Sequence, residues 1–172
     1  MDSIVIQKIA DLAKEAVILA WKAQGHDLTG NAVQQMETQI INTSTLTIIS
    51  GYVVDYMVPT NTGVTAERIP YNPGSGAKTS KYIDGLISYA KLRMGKSDKD
   101  AKGVAFAIAS RHKKEGMPTV ASAKFSSTGK RTGFIDEALS GKEQQFAEMI
   151  ELAVAEAFNV TIDNYYQSVL KR

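Results

Sequence analysis

The chain has 172 residues, of which 44% are hydrophobic and 22% charged, and its formal net charge is +2 at pH 7. These values are typical of one globular domain that buries a core large enough to fold without covalent staples. A net charge this small is no argument for nucleic acid by itself. The chain has no cysteine, which excludes disulfides and thiolate metal sites.

The N-terminal stretch does not have the pattern of a signal peptide. It starts with an acid, and Lys8, Asp11, Lys14 and Glu15 interrupt its apolar run. No stretch of the sequence approaches the ~18 apolar residues of a membrane span. We therefore expect synthesis in the cytoplasm and no membrane partner.

The first predicted element is a long helix, because apolar residues recur at helical spacing from Val5 to Ala23. Ser3 is expected to cap its start and Gly25 to end it. Trp21 is expected to pack against a neighbouring element of the same domain or, as the alternative, to face a partner subunit. Residues 26–40 predict a turn followed by a short helical or mixed stretch.

Residues 45–58, TLTIISGYVVDYMV, are rich in β-branched and aromatic residues. They predict either two short strands in a tight hairpin around Gly51 or one long strand with a bulge. Residues 59–78 carry three of the four prolines and predict a long loop. We expect this loop to be mobile alone and to contact a neighbouring subunit in an assembly.

The second half of the sequence predicts helices. One starts at Thr79 or Ser80 and ends at Gly95, and another starts at Ser97 and stops before Gly116 and Pro118. After a polar, basic loop at 119–133, the longest helix is predicted from about Phe134 to Phe158, with a kink at Gly141. Thr161 is expected to cap a short last helix.

This order of elements predicts an α+β fold, in which a long N-terminal helix and C-terminal helices pack on a small antiparallel sheet, with long loops. The sequence gives no internal boundary. We therefore expect a single domain, 1–172, with a long loop at 59–78 and a C-terminal helical extension from about residue 141.

The stretch PYNPGSGAKTS, residues 70–80, resembles a nucleotide-binding loop in composition but fails in spacing. A Walker-type loop needs glycine, four residues and then Gly-Lys-Ser/Thr. Aligning Lys78 and Thr79 with that ending places Ala77 and Asn72 at the two glycine positions. The segment before it is polar and contains proline, whereas such a loop follows a buried strand. The stretch is therefore predicted to be a connector.

No other pattern predicts catalysis. His112 and Glu115 could share a metal but have no second ligand pair, and a histidine near a helix C-terminus complements the helix dipole. Asp136 and Glu137 suit the first turn of a helix for the same reason. The sequence has no Gly-x-Ser-x-Gly elbow. We therefore expect no enzyme activity, no cofactor and no metal; a small enzyme stays open as the weakest alternative.

Charge is segregated along the sequence. From Lys102 to Arg131 there are seven Lys or Arg residues and one acid, whereas from Phe134 to Phe158 there are six acids and one base. The two stretches fit either ordinary solvated faces or head-to-tail self-assembly, in which a basic loop meets the acidic helix of the next subunit. Contact of the basic stretch with nucleic acid is a further alternative, although Phe125 is its only interleaved aromatic residue.

Three motifs in order resemble the tail-completion, or head–tail joining, proteins of long-tailed bacteriophages. The first is the turn Leu28-Thr29-Gly30-Asn31, which follows the first helix. The second is AFAIA at 105–109 with Gly116. The third comprises Phe134, Ile135, Ala138 and Leu139. The resemblance spans about residues 10–140, and the long 59–78 loop and the acidic C-terminal extension depart from it.

The resemblance implies a non-enzymatic virion protein that forms a ring in the neck or at the top of the tail and joins the head connector to the tail. Its implied partners are other copies of the chain and the connector, portal-side and tail-tube proteins, with a non-specific contact to DNA in the lumen. Its implied location is the virion, after assembly in the host cytoplasm. The alternative is a small nucleic-acid-binding module with a basic loop.

The candidate subunit-interface residues are those of the basic stretch, the acidic helix and the 59–78 loop. They are Lys113, Lys114, Lys124, Lys130, Arg131, Glu148, Glu151, Glu156, Lys78 and Tyr71.

Overall fold

The computed structural model describes residues 3–43, 45–74 and 80–170, and for Ser3 it describes the backbone alone. The elements in chain order are α1 (Ser3–Ala23), α2 (Asn31–Gln34), β1 (Glu37–Asn42), β2 (Thr47–Tyr52), α3 (Met57–Thr62), α4 (Lys81–Met94), α5 (Asp98–Glu115), α6 (Phe134–Ser140) and α7 (Glu143–Leu170). Two short 3-10 helices cover Ala66–Arg68 and Val120–Phe125. The fold is α+β, as predicted, with long helices and a small antiparallel sheet.

Helix α1 confirms the prediction from periodicity, and Gly25 ends it as expected. The amide of Gly25 donates to the carbonyl of Lys22 at 2.9 Å, and the φ of Gly25 is 71°. This left-handed conformation suits glycine because it has no Cβ to clash with the backbone. The predicted cap by the Ser3 side chain lies outside the described residues.

The sheet differs from the prediction for residues 26–58. Strands β1 and β2 pair antiparallel, with Glu37 opposite Tyr52 and Asn42 opposite Thr47. Gly51 therefore lies inside β2 and not at the turn. The turn is closed by Thr43, whose amide donates to the carbonyl of Leu46 and whose hydroxyl oxygen accepts from the amide of Leu46. A threonine turn carries a weaker local signal than glycine, which explains the wrong placement.

Helices α4 and α5 confirm the predicted start and stop signals. The Ser80 hydroxyl accepts from the amide of Ile83, and Ser97 caps α5 by accepting from the amide of Asp100. Gly95 and Gly116 follow the two helices with φ values of 60° and 82°. These signals are local, so the sequence alone fixes them.

The predicted loop at 59–78 is partly helical, which corrects the prediction of a long irregular loop. Its first residues belong to α3, and a 3-10 helix covers Ala66–Arg68. Val64 and Met117 exchange two backbone hydrogen bonds of 2.7 Å each. The loop before residue 75 is therefore tied to the C-terminal end of α5, whereas residues 75–79 lie outside the described part of the chain.

The C-terminal helices also differ from the prediction. The break at Gly141 divides α6 from α7 fully, where the sequence predicted only a kink. Helix α7 then continues to Leu170 without interruption. Thr161 is an interior residue of α7, and its hydroxyl donates to the carbonyl of Ala157 at 2.8 Å. The predicted cap at Thr161 is therefore wrong, because this side chain bonds backward along one continuous helix.

The chain divides into two compact units, a division that the sequence did not indicate. Unit 1 comprises Met1–Ala20, Met36–Val53 and Ile135–Arg172; unit 2 comprises Trp21–Gln35 and Val54–Phe134. In unit 1 the buried residues include Ile6 and Ile9 of α1 and Ala153 of α7. In unit 2, α4 and α5 pack around Ile83, Ala105 and Ala109.

Candidate interface surfaces

The turn Leu28–Asn31 is built by local hydrogen bonds in unit 2. The carboxylate of Asp27 accepts from the amide of Gly30 at 3.0 Å, and the φ of Gly30 is 73°. Gly30 occupies the position before α2, and no side chain caps this helix. These bonds hold the backbone reversal between α1 and α2, so the turn has a structural role.

The two lysines near the end of α5 have different environments. Lys113 is half-buried, and its Nζ donates to the carbonyl of Ile69 at 3.2 Å and to that of Glu67 at 3.4 Å. Lys114 is exposed. Of this pair, Lys114 presents its charge to solvent, whereas Lys113 fastens the 3-10 segment to α5.

The basic loop 119–133 is anchored to the end of α1. The backbone amide and the hydroxyl of Ser127 both donate to the carbonyl of Ala23, each at 2.9 Å. In the other direction, the Nε2 of Gln24 donates to the carbonyl of Thr132 at 3.0 Å. Gln24 is fully buried, and no sequence pattern marked it as important. The loop is therefore held against its own unit along much of its length.

Arg131 serves this anchor as well. Its Nη1 donates to the carbonyl of Gln24 at 2.8 Å and to that of Gly25 at 3.3 Å. Burial lowers the pKa of the Arg131 guanidinium, and its Nε is buried without a hydrogen-bond partner. Arg131, predicted as an interface residue, thus has a defined role inside unit 2.

His26 is the most strongly perturbed titratable group at this anchor. Burial and the nearby Arg131 charge lower the pKa of His26 to about 4, so its ring is neutral at pH 7. The ring stacks on Trp21, with centroids 4.7 Å apart, and its Nε2 lies 3.3 Å from the Oε1 of Gln24. Trp21 is buried, which confirms the expected packing within the domain. His26 and Arg131 also line a small cavity of about 140 Å³.

Lys124 and Lys130 are the exposed cations of the basic loop. The Nζ of Lys124 lies 5.2 Å from the ring centroid of Phe125, a cation–π distance. Phe125 is itself 49% exposed. Together with Lys114, these two lysines form what we call the exposed basic set.

Tyr71 packs inside unit 2. Its ring lies 6.2 Å from that of Phe106, and its hydroxyl accepts from the Ser110 hydroxyl at 3.4 Å. It adjoins the cluster of Ile83, Ala105 and Ala109. Tyr71 is thus half-buried as part of this packing, and Lys78, the other candidate from that loop, lies outside the described residues.

The acidic candidates lie on α7, in unit 1. Glu148, Glu151 and Glu156 are all exposed. Glu148 accepts a hydrogen bond from Gln144 at 2.9 Å. Over its described length, α7 carries five acids and no base, so the helix presents an acidic surface.

An open groove of about 450 Å³ lies within unit 1, between α1, the β-hairpin and α7. Its apolar walls are formed by Ile6, Ile9, Leu46, Ile49, Ile150 and Val154. The polar atoms at its edge come from Asn42 and threonines of the hairpin. The groove has an apolar character that suits a hydrophobic occupant.

His112 contacts Tyr82 within unit 2. Its Nδ1 lies 2.7 Å from the Tyr82 hydroxyl, and burial lowers the pKa of His112 while raising the pKa of Tyr82 to about 12. Glu115 pairs with Arg111. Among the described residues, no group of three His, Cys, Asp or Glu side chains is placed to hold a metal ion.

Within the described ranges, no helix combines the length and the apolar content needed to cross a membrane. Comparison of the chain with protein-family models, with curated proteins and with solved structures found no match.

Proposed function

We propose that this protein is a virion structural protein of a long-tailed bacteriophage, which assembles as a ring in the neck or at the top of the tail. In this role it joins the head connector to the tail without catalysing a reaction. Three ordered motifs support the proposal: the turn at 28–31, the helix at 105–116 and the segment that opens at Phe134. The turn holds a sharp reversal through the left-handed Gly30.

The observation that carries the proposal is the division of charge between the two units. The exposed basic set, Lys114, Lys124 and Lys130, belongs to unit 2, whereas the acids of α7 belong to unit 1. A subunit whose two surfaces have opposite charge can attract the next copy in the same orientation. Repetition of such a heterologous contact closes a ring when the rotation between subunits allows it.

Charge reversal tests this contact directly. We expect Lys114→Glu with Lys130→Glu to weaken self-association at least tenfold, or about 1.4 kcal/mol, because like charges then face each other. These two lysines are chosen because Lys113 and Arg131 hold backbone carbonyls within their own unit. The measurement is the mass of the purified protein by sedimentation at low ionic strength.

Two further variants control this experiment. Lys96→Glu with Lys99→Glu makes the same change of charge at exposed positions outside the basic set and should keep the wild-type mass. Adding Glu151→Lys and Glu156→Lys to the reversed chain should restore association. A strictly monomeric wild type that never enters virions would contradict the proposal.

A nucleic-acid-binding module remains the second candidate, because the exposed Phe125 lies beside Lys124. An aromatic ring next to a cation can stack on a single-stranded base. Binding of DNA by wild type that falls steeply with salt, together with unchanged mass in the charge-reversed variant, would favour this candidate over the ring.

A further inference from the structure

The C-terminal half of α7 exposes a stripe of large apolar residues. Phe158, Ile162, Tyr165 and Val169 are 64%, 36%, 67% and 51% exposed. Their spacing of four, three and four residues places them along one line of the helix, as in a short helix–helix contact. We call these four residues the α7 seam. The predicted helix start at Thr161 falls in the middle of this stripe and divides it, so the stripe is recognisable only once α7 is continuous.

The α7 seam does not continue the face that α7 turns toward the core of unit 1. That inward face comprises Phe146, Met149 and the buried Ala153. At 3.6 residues per turn, the seam lies roughly 150° around the helix from this face and roughly 70° from Ile150 and Val154, which line the groove of unit 1. Further packing of unit 1 along the inward face would leave the seam exposed.

The exposed apolar surface of the seam has the size of a small helix–helix contact. Each of its four residues is at least one-third exposed. At roughly 100 Å² each, they present on the order of 400 Å². A monomer rarely exposes more than a few hundred Å² in one patch, and a standard interface buries about 800 Å² per partner, so the seam fits a weak contact between subunits.

The seam itself carries no charge. Glu156 and Asp163, the acids within or beside its length, lie on the far side of α7 by helical geometry, whereas Glu151 lies in line with the seam two turns before Phe158. The residues that flank the seam are uncharged: Asn159, Thr161, Tyr166 and Ser168. Two identical helices can therefore meet between Phe158 and Val169 without placing like charges opposite each other.

Two hydroxyls beside the seam, those of Thr161 and Ser168, already donate to carbonyls of their own helix. Thr161 donates to the carbonyl of Ala157, and Ser168 donates to the carbonyl of Tyr165 at 2.7 Å. Their burial against another helix would leave no donor without a partner. An anionic membrane or nucleic acid fits this helix less well, because α7 has five acids and no base.

We infer that the α7 seam is a contact between copies of this chain, in which α7 of one subunit packs against α7 of another. The contact differs from the one between the exposed basic set and the acids of α7, because it is apolar and joins the same element of each copy. It does not depend on the virion role and stands if that role fails.

The test compares two double variants with the same chemistry. Phe158→Gln with Ile162→Gln removes half of the seam, and Leu152→Gln with Val160→Gln removes two exposed apolar residues from other sides of the same helix. All four positions are exposed in the single chain, so neither variant removes buried core. We expect the seam variant to weaken association at least tenfold and the control to keep the wild-type value, measured by sedimentation from about 1 to about 200 µM chain.

Because the chain has no cysteine, single introduced cysteines report which positions of two α7 helices lie close together. Ile162→Cys should form an intermolecular disulfide under mild oxidation when two helices meet in parallel, since equivalent seam positions then face each other. Val160→Cys, two residues away and off the seam, should cross-link much less under the same conditions.

Three results would overturn the inference. They are a wild type that stays monomeric over this whole range, an equal loss of association in both double variants, and seam-dependent binding of the monomer to phosphatidylcholine vesicles. A seam-linked oligomer that never enters virions would uphold the inference and contradict the proposed function alone.

Discussion

Gly25 shows how closely the basic loop approaches the end of α1. A Cβ on Gly25 would lie 2.1 Å from the carbonyl oxygen of Phe125, and the φ of Gly25 is positive. Gly30 has almost the same φ, but a Cβ there would meet nothing within 4 Å. A substitution at Gly30 therefore introduces backbone strain alone, whereas the same substitution at Gly25 introduces strain and a steric clash.

We expect Gly25→Ala to destabilise the fold clearly more than Gly30→Ala. The left-handed conformation costs alanine about 1–2 kcal/mol at either site, and at Gly25 the clash with Phe125 adds at least about 1 kcal/mol. Urea unfolding followed by circular dichroism measures the difference. Equal losses in the two variants would show that the loop at 119–133 is not held against α1.

At the scale of elements, the helices that the sequence predicted correctly are those with local end signals. Ser80, Ser97, Gly95 and Gly116 act on backbone groups within a few residues, so their roles do not depend on distant contacts. Strand β1 has no such signal. Its residues alternate between exposed and half-buried positions with few large apolar side chains, and β2 decides its pairing.

Apart from the two residues of the 59–78 loop, the candidate interface residues were predicted from charge, and charge in a sequence does not reveal which side chains bond within their own unit. Lys113 and Arg131 resemble their neighbours in composition, yet both donate to backbone carbonyls within unit 2. Lys114 and Lys130 are exposed. The difference depends on contacts between residues far apart in sequence, such as Arg131 with Gln24. The 4-3-4 spacing of the α7 seam, in contrast, is present in the sequence, but it forms one stripe only because α7 is continuous.

The continuity of α7 makes a prediction whose sign depends on the structure. Thr161 is an interior residue of α7, so we expect Thr161→Ala to stabilise the helix by about 0.5 kcal/mol, because alanine has the higher helix propensity. A helix start at Thr161 would instead lose about 1 kcal/mol with its cap. Thermal unfolding at low protein concentration distinguishes the gain from the loss of stability. Ser97→Ala, which removes an observed helix cap, is the matched control for a loss of stability.

At the scale of the whole molecule, two kinds of surface are available for self-association, and they differ in physical origin. The exposed basic set and the acids of α7 would attract through charge, which salt screens. The α7 seam would associate through apolar burial, which salt leaves intact or strengthens. The two contacts use different residues, so an assembly that contains both should lose them independently.

We therefore expect the mass of the assembly to change with salt in a defined way. The Debye length falls from about 10 Å at 0.1 M salt to about 3 Å at 1 M, so the charge contact weakens and the seam contact remains. Wild type should go from a larger assembly in low salt to a smaller, seam-linked oligomer near 1 M.

The variants should respond to salt differently. The variant with Phe158→Gln and Ile162→Gln should reach the monomer at high salt. The charge-reversed variant should show little change of mass between the two salt concentrations. A wild-type mass that is the same at both salt concentrations would contradict a role for the charge contact, while a seam variant that remains oligomeric near 1 M salt would contradict the seam.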